Sequence, residues 1–470
     1  MTITRRRFVG ASFGLATLSL TPPRAFAALP READVIVIGA GAAGIAAARR
    51  VIAANRRVVI VEAADRIGGR CVTDAATFGI PFDRGANWLH SAASNPVAKL
   101  ARGAGMELYP APRGPRIRIG RRNARPAETE DLLAHLVRAN RAISEAGRGR
   151  TDLAALDTLP KDLGEWARTV EFTLGASATS KDLKDISAMD LARMEPRDQP
   201  SFCRQGVGAL IAKLGEGLPV SLSTPVNKIE WSSRDAEVYT SAGKIVGRAA
   251  IVTASTGVLA SGKIRFEPDL GRRQLDAAAK LGLGHYERIV LEFSGNPLNL
   301  QRDDVVIEQS DGVRTAMLTA NINGSSLCAV DVAGSFAREL AGRGEAAMTA
   351  FATEWLAKLY GSEIRTQIQR TATTNWGASP YVLGAMSGAA VGAAGARKAL
   401  MENAGNLFFA GEAAHETLWG TVAGAWESGE RAAESALRRI GALRDPAEAQ
   451  PRKTPRKKKR AAPPAAAAPQ

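Results

Sequence analysis

The chain has 470 residues, 45% of them apolar, and a formal charge of +15. That length exceeds one simple domain, and that apolar share can build a sizeable core. The last twenty residues supply +7 of the charge and the first 27 supply +4, leaving about +4 for residues 28 to 450, so the body lacks the basic excess expected of a nucleic-acid-binding protein.

The first 27 residues read as an export signal. "TRRRFVG" (residues 4 to 10) resembles the twin-arginine signal of bacteria, with Arg5 and Arg6 as the pair. A modestly apolar stretch follows, and "AFA" at Ala25 to Ala27 offers a small-x-small cleavage site. The apolar stretch is too short to stay as a membrane span. A periplasmic protein is the expectation, with the export machinery as a partner. Twin-arginine export carries folded, cofactor-loaded proteins.

"DVIVIG" (residues 34 to 39) then reads as a buried parallel strand. It runs into Gly39, Gly41 and Gly44, spaced G-x-G-x-x-G. Gly39 permits a tight turn, Gly41 lets backbone approach a pyrophosphate, and Gly44 lets the next helix pack closely on the sheet. That helix opens at Ala42 and Ala43, so its N–H groups and positive dipole end point at the phosphates. A second strand, "RVVIVE", ends in Glu62, where a carboxylate can accept hydrogen bonds from ribose hydroxyls and disfavours a 2′-phosphate. These features describe a dinucleotide site and leave FAD and NAD both open.

The next blocks separate the two. Ala63, Arg66, Gly68, Gly69 and Arg70 follow Glu62 in "EAADRIGGR", and Gly85, Ala86, Asn87 and Trp88 lie in "DRGANWLH". A third block, "FFAGEAAHETLWGTVAGAWESGERAAESAL", spans residues 408 to 437. With these blocks in order, the chain resembles the flavin-containing amine oxidases, the group of monoamine, polyamine and L-amino-acid oxidases, over roughly residues 32 to 440. The resemblance implies an α/β fold: a Rossmann-type FAD-binding domain with an interleaved α+β substrate domain. Residues 32 to 90, 205 to 265 and 406 to 440 are expected to assemble the first, and 91 to 204 with 266 to 405 the second. Residues 128 to 200 look helical, "HYERIVLEFSG", "DVVIEQS" and "SSLCAVDVAG" read as strands, and "GEAAMTAFATEWLAKLYG" reads as an amphipathic helix. The Ala/Pro/Lys/Arg tail at 446 to 470 cannot build a core and is expected to be disordered, with an anionic surface as a conceivable weak contact.

The resemblance also implies roles. Gly411 and Glu412 belong near the pyrophosphate and ribitol, and Val226 contacts adenine through its backbone. Thr421 and Val422 line the flavin ring at the start of the last helix. Three departures from the family stand out. Met386 and Thr421 occupy the places of two cage tyrosines, with Trp376, Tyr381 and Trp419 as nearby aromatic candidates. Ala385 replaces the cysteine that bonds FAD in animal monoamine oxidases, so non-covalent FAD is expected. Arg288 replaces a lysine that reaches a water at flavin N5, unless it points to solvent or pairs with Glu287 or Glu292. Trp376, Arg288 and Thr421 are the catalytic candidates.

Cys71, Cys203 and Cys328 give no disulfide framework and read as small buried residues, and the four histidines show no zinc spacing. Arg113, Arg116 and Arg118 read as part of a solvated hairpin, with a substrate-facing role as the alternative. The leading expectation is an FAD-dependent amine oxidase acting on a small amine or amino acid, with dioxygen as acceptor. A dehydrogenase or desaturase of the same fold, and a non-catalytic FAD-binding protein, remain open.

Overall fold

The computed structural model describes residues 29–197 and 200–443. The expected export signal and the basic tail lie outside the described residues. The strand Glu32–Ile38 is central to the first sheet, parallel to Val58–Val61 on one side and Gly243–Val252 on the other. The sheet continues outward through Ala236–Thr240, Val226–Trp231 and Arg265–Glu267, and on the other edge through Val220–Ser221. Leu407–Phe409 also joins it, parallel to Gly243–Val252. Three stretches far apart in the chain therefore make one sheet.

The central strands are apolar where both faces are covered, at residues 35–38, 58–61 and 249–252. Val35 and Val37 pack with Ala47, Val51, Ala433 and Leu437 under the helices Ala42–Ala53 and Val422–Arg439. Ile36 and Ile38 point the other way, into a core with Leu259, Ala277 and Leu400. The helices Arg272–Lys280 and Ala396–Met401, which lie beyond the boundaries expected at 265 and 406, pack in that same core. The two helices on the first face cross backbone to backbone. A Cβ on Gly429 would lie 2.1 Å from the Ala43 carbonyl oxygen. Their alanine- and glycine-rich faces permit this approach, which brings both helix N-termini to the C-terminal edge of the parallel strands, where ligands bind in such folds.

The second sheet runs in the order Ile368–Thr373, Tyr286–Phe293, Leu327–Ala333, Met317–Thr319, Val305–Glu308, Arg116–Ile119, Arg122–Asn123. It is antiparallel except between Val305–Glu308 and Arg116–Ile119. Helices Gly334–Gly342 and Glu345–Tyr360 cover one face around Leu291, Val330 and Leu356. A helical stretch from Pro126–Ala146 to Ala188–Ala192 closes around Leu132, Ile143, Trp166 and Ile186. The Arg116 hairpin is largely solvent-exposed, as expected, with Arg113, Arg116 and residues 120–123 exposed and Ile117 buried. Arg116 pairs with Asp304 at 2.7 Å, and Arg118 lies over the Tyr360 ring at 4.6 Å. The three cysteines are buried and unpaired.

Candidate active site

A cavity of about 1090 Å³ runs from the first glycine turn to the strands of the second sheet. This is just above the usual range for small-ligand sites, about 300–1,000 Å³. Of the site residues expected from the sequence, all line it except Gly44 and the aromatic candidate Trp419. Gly44 sits behind the turn, where a Cβ would come within 1.9 Å of the Gly39 carbonyl oxygen. Its place is the close helix packing that the spacing suggests.

At the turn, Gly39 has φ +103°, and a side chain there would strike Thr253 Oγ1 at 2.4 Å. Gly41 bridges to Gly68, and a Cβ on Gly41 would meet nothing nearer than the Gly69 Cα at 3.8 Å. The three glycines present bare backbone to the cavity, as an anion cradle needs. Glu62 Oε2 accepts from Ala40 N at 2.6 Å and Oε1 from Ala64 N at 2.8 Å. A carboxylate has about four lone-pair sites, so capacity for two ribose hydroxyls remains. Arg66 donates to the Gly69 carbonyl at 2.9 Å and meets no carboxylate among the described residues. A pyrophosphate would supply the missing counter-charge. The residues therefore fit the ADP half of FAD, with Ala42, Ala43, Ala63 and Val226 along the same wall.

The other end is held by a buried polar chain. Arg70 donates to the Ala385 carbonyl and to Glu412 Oε1, the latter at 3.0 Å. Glu412 also accepts from Ser387 Oγ at 2.7 Å and Gly420 N at 2.9 Å. Burial pushes the Glu412 carboxyl up, but Arg70, Arg397 and these bonds outweigh it and hold it below the usual range. Arg397 donates to Ser387 Oγ at 3.0 Å and makes a bidentate pair with Asp190 at 2.8 Å. This chain fixes Gly411, Glu412 and the Gly420 turn to the helical layer.

Thr421 caps the last helix, accepting from Gly424 N at 3.0 Å while donating to the Leu418 carbonyl at 2.6 Å. Its hydroxyl is thus committed to the helix start, which begins at Val422. Trp376 packs over the 84–86 backbone. Its ring would be 3.0 Å from a Cβ on Gly85, and its Nε1 donates to the Arg84 carbonyl at 3.2 Å. Buried Glu287 accepts from Trp376 N at 2.9 Å and from Thr374 Oγ1 at 2.7 Å. Tyr381 and Met386 line the cavity; Trp419 does not. Trp419 is fully buried with Arg397 stacked on its ring at 4.3 Å, so it belongs to the core beneath the site.

Arg288 faces the cavity, but its partner is neither solvent nor Glu287 nor Glu292. It makes a bidentate pair with Asp331, directly across the strand pair, with both bonds at 2.8 Å. Its Nη1 donates to the Asp83 carbonyl at 2.8 Å, and Asn87 offers its amide oxygen to Nη2 at 3.2 Å once that amide is turned to face it. Burial opposes the charge, yet Asp331 holds Arg288 protonated beyond its ordinary range. Asp331 and Arg197, which also lines this end, were not singled out from the sequence. Asp331 had a signal: a lone acid inside the apolar strand "LCAVDVA". Arg197 had none in a stretch dense with charge.

Residues 42–437 match the family described as flavin containing amine oxidoreductase. Polyamine oxidase 5 of Oryza sativa subsp. japonica is 30% identical over 448 residues, covering 87% of this chain and 88% of that protein. Protein FLOWERING LOCUS D of Arabidopsis thaliana is 27% identical over 443 residues, and the match spans 56% of that relative's length. Putrescine oxidase, solved bound to putrescine, superposes with a TM-score of 0.74 at 16% identity, covering 87% of this chain and 99% of that one. The fold is shared with that structure. The chain belongs to the flavin containing amine oxidoreductases and is an FAD-dependent enzyme of that family.

Proposed function

We propose that this protein oxidises a small amine at the carbon next to nitrogen, with FAD as electron acceptor and dioxygen as final oxidant. Bound FAD would supply the two-electron chemistry, taking a hydride equivalent at N5 and passing the electrons to dioxygen as hydrogen peroxide. The observation that carries this reading is one cavity that joins an ADP cradle to a wall of Trp376, Met386, Thr421 and Arg288.

The chain's own residues then have distinct tasks. Gly41, Gly68, Gly69 and Arg66 would hold the pyrophosphate, and Glu62 would hold the ribose. The helix starting at Val422 turns its positive dipole end toward the cavity, where it would favour negative charge on a bound flavin. Trp376 is held by Glu287 and closes the site against water. The substrate must present a neutral amine, because its nitrogen lone pair supports the departing hydride. The nitrogen proton then leaves, and water converts the resulting imine to a carbonyl compound and free amine. The test is peroxide release from the FAD-loaded protein with a panel of amines and amino acids in air. Flavin bleaching without air oxidation would favour a dehydrogenase, and no bleaching with any substrate would defeat the reading.

We further propose export to the periplasm by the twin-arginine route, on the motif at Arg5 and Arg6. The basic tail is proposed as a salt-sensitive contact for an anionic surface.

A further inference from the structure

Five arginines line the cavity: Arg66, Arg70, Arg84, Arg197 and Arg288. Three are matched by carboxylates of the chain, namely Glu412, Asp74 and Asp331. Arg66 lies at the glycine cradle, where a pyrophosphate answers it. Arg197 remains. It sits at the opposite end, and among the described residues no carboxylate pairs with it.

Its position is fixed by two carbonyls. Nη1 donates to Ala178 O at 2.7 Å, and Nη2 reaches Trp419 O at 3.4 Å. Its Nε is sealed from solvent and has no hydrogen-bond partner among the described residues. Sealed in this way, Nε is out of a ligand's reach; what Arg197 can offer the cavity is the second N–H of Nη1 and of Nη2, each of which has a single carbonyl partner. The guanidinium lies against the turn before Thr421: a Cβ on Gly420 would be 3.4 Å from Arg197 Nη2 and 3.3 Å from Met386 Sδ. Burial lowers Arg197 to about 10, against a partly offsetting attraction from Glu412. It therefore stays charged at neutral pH. Glu412 has no acceptor site left for it, being already filled by Arg70, the Ser387 N–H and hydroxyl, and Gly420 N. Glu195, the nearest acid in sequence that lines the cavity, is exposed and bonded to Thr417 Oγ1 at 2.6 Å.

We propose that Arg197 receives a carboxylate carried by the substrate, so that the molecule oxidised is an amino acid or another amine bearing a carboxylate. This rests on the amine-oxidation reading above and narrows it. A planar fork with free N–H groups suits a carboxylate. A diamine would instead bring a second cation toward Arg197, so the inference sets this chain apart from relatives named for putrescine or polyamines.

The test uses the full FAD-loaded protein and matched pairs that differ only in the carboxylate: L-ornithine and putrescine, L-lysine and cadaverine, L-leucine and isoamylamine, L-phenylalanine and phenethylamine. Anaerobic stopped-flow gives the flavin reduction rate constant over the dissociation constant for each. The expected result is at least about a tenfold preference for the acid member of the best pair. Arg197→Gln, at matched FAD content, should shrink that preference on the order of 10- to 100-fold, the range for a lost hydrogen bond to a charged group. Arg197→Lys should recover part of it. Benzoate, a carboxylate without an amine, should shift the absorbance of the wild-type oxidised flavin and bind more weakly to the Gln variant. If Arg197→Gln does not fold, the wild-type preference and the benzoate titration decide alone. Equal or faster reduction by the amine members, or an equal loss for both members on substitution, overturns the carboxylate role and leaves amine oxidation standing. No reduction by either member of any pair, or by any other amine, overturns both.

Discussion

Arg288→Met should destabilise the folded chain by about 3–5 kcal/mol, the usual cost of removing one partner of a buried ion pair. The guanidinium side chain is 5% exposed and the Asp331 carboxylate 1%. The substitution deletes two bonds to Asp331 and one to the Asp83 carbonyl, all at 2.8 Å. Asp331 would keep, among the described residues, the Tyr286 hydroxyl at 3.2 Å. A carboxylate this far from water is then uncompensated. If that is the cause, removing the second charge must help. Arg288→Met combined with Asp331→Leu should be more stable than Arg288→Met alone by at least about 1 kcal/mol. Denaturant unfolding of FAD-stripped protein measures all three forms. A single-variant loss below about 1 kcal/mol, or a double variant no better than the single, would refute the argument. The second result would assign the cost to lost packing instead.

Arg288→Lys should speed reoxidation of the reduced flavin in stopped-flow, because the guanidinium spends most of its N–H groups on protein oxygens, whereas an ammonium has three rotatable donors and can orient a water; an unchanged or lower oxygen rate constant at full FAD content counts against it. Gly429→Ala should cost about 1–3 kcal/mol and weaken FAD binding, since its Cβ would stand 2.1 Å from the Ala43 carbonyl oxygen and force the crossing helices apart. Gly342→Ala, with nothing within 4 Å, is the control, and equal melting temperatures for the two variants would contradict the close crossing. Acid precipitation should leave the yellow colour in the supernatant, because Ala385 offers no nucleophile and burial pushes the Cys71 thiol in the cavity wall up to about 12; colour that runs with the polypeptide would show a covalent bond. Replacing Arg5 and Arg6 by Lys should hold the precursor in the cytoplasm, and normal periplasmic accumulation of that variant would rule the export route out.

What the sequence by itself determined was local. Gly39, Gly41, Gly44 and Glu62 announce strand, turn, helix and ribose carboxylate because each acts through neighbours a few residues away or through one βαβ unit. The cavity wall from Gly85 to Trp88 and from Gly411 to Val422 was legible as ordered blocks, and all of those named residues line one space. Tertiary structure decided the charges. Arg288 finds Asp331 through the register of two antiparallel strands, 43 residues apart, and no spacing rule selects that acid over Glu287 or Glu292. Trp419 looked like a wall residue and became core because Arg397, fixed by Asp190, stacks upon it. Arg197 meets carbonyls, and no carboxylate among the described residues, only once the helical layer is folded against the Trp419–Gly420 turn. Period and turn chemistry are written in adjacent residues, whereas the cost of an unpaired charge depends on which distant groups packing brings within 3 Å and which it leaves out of reach.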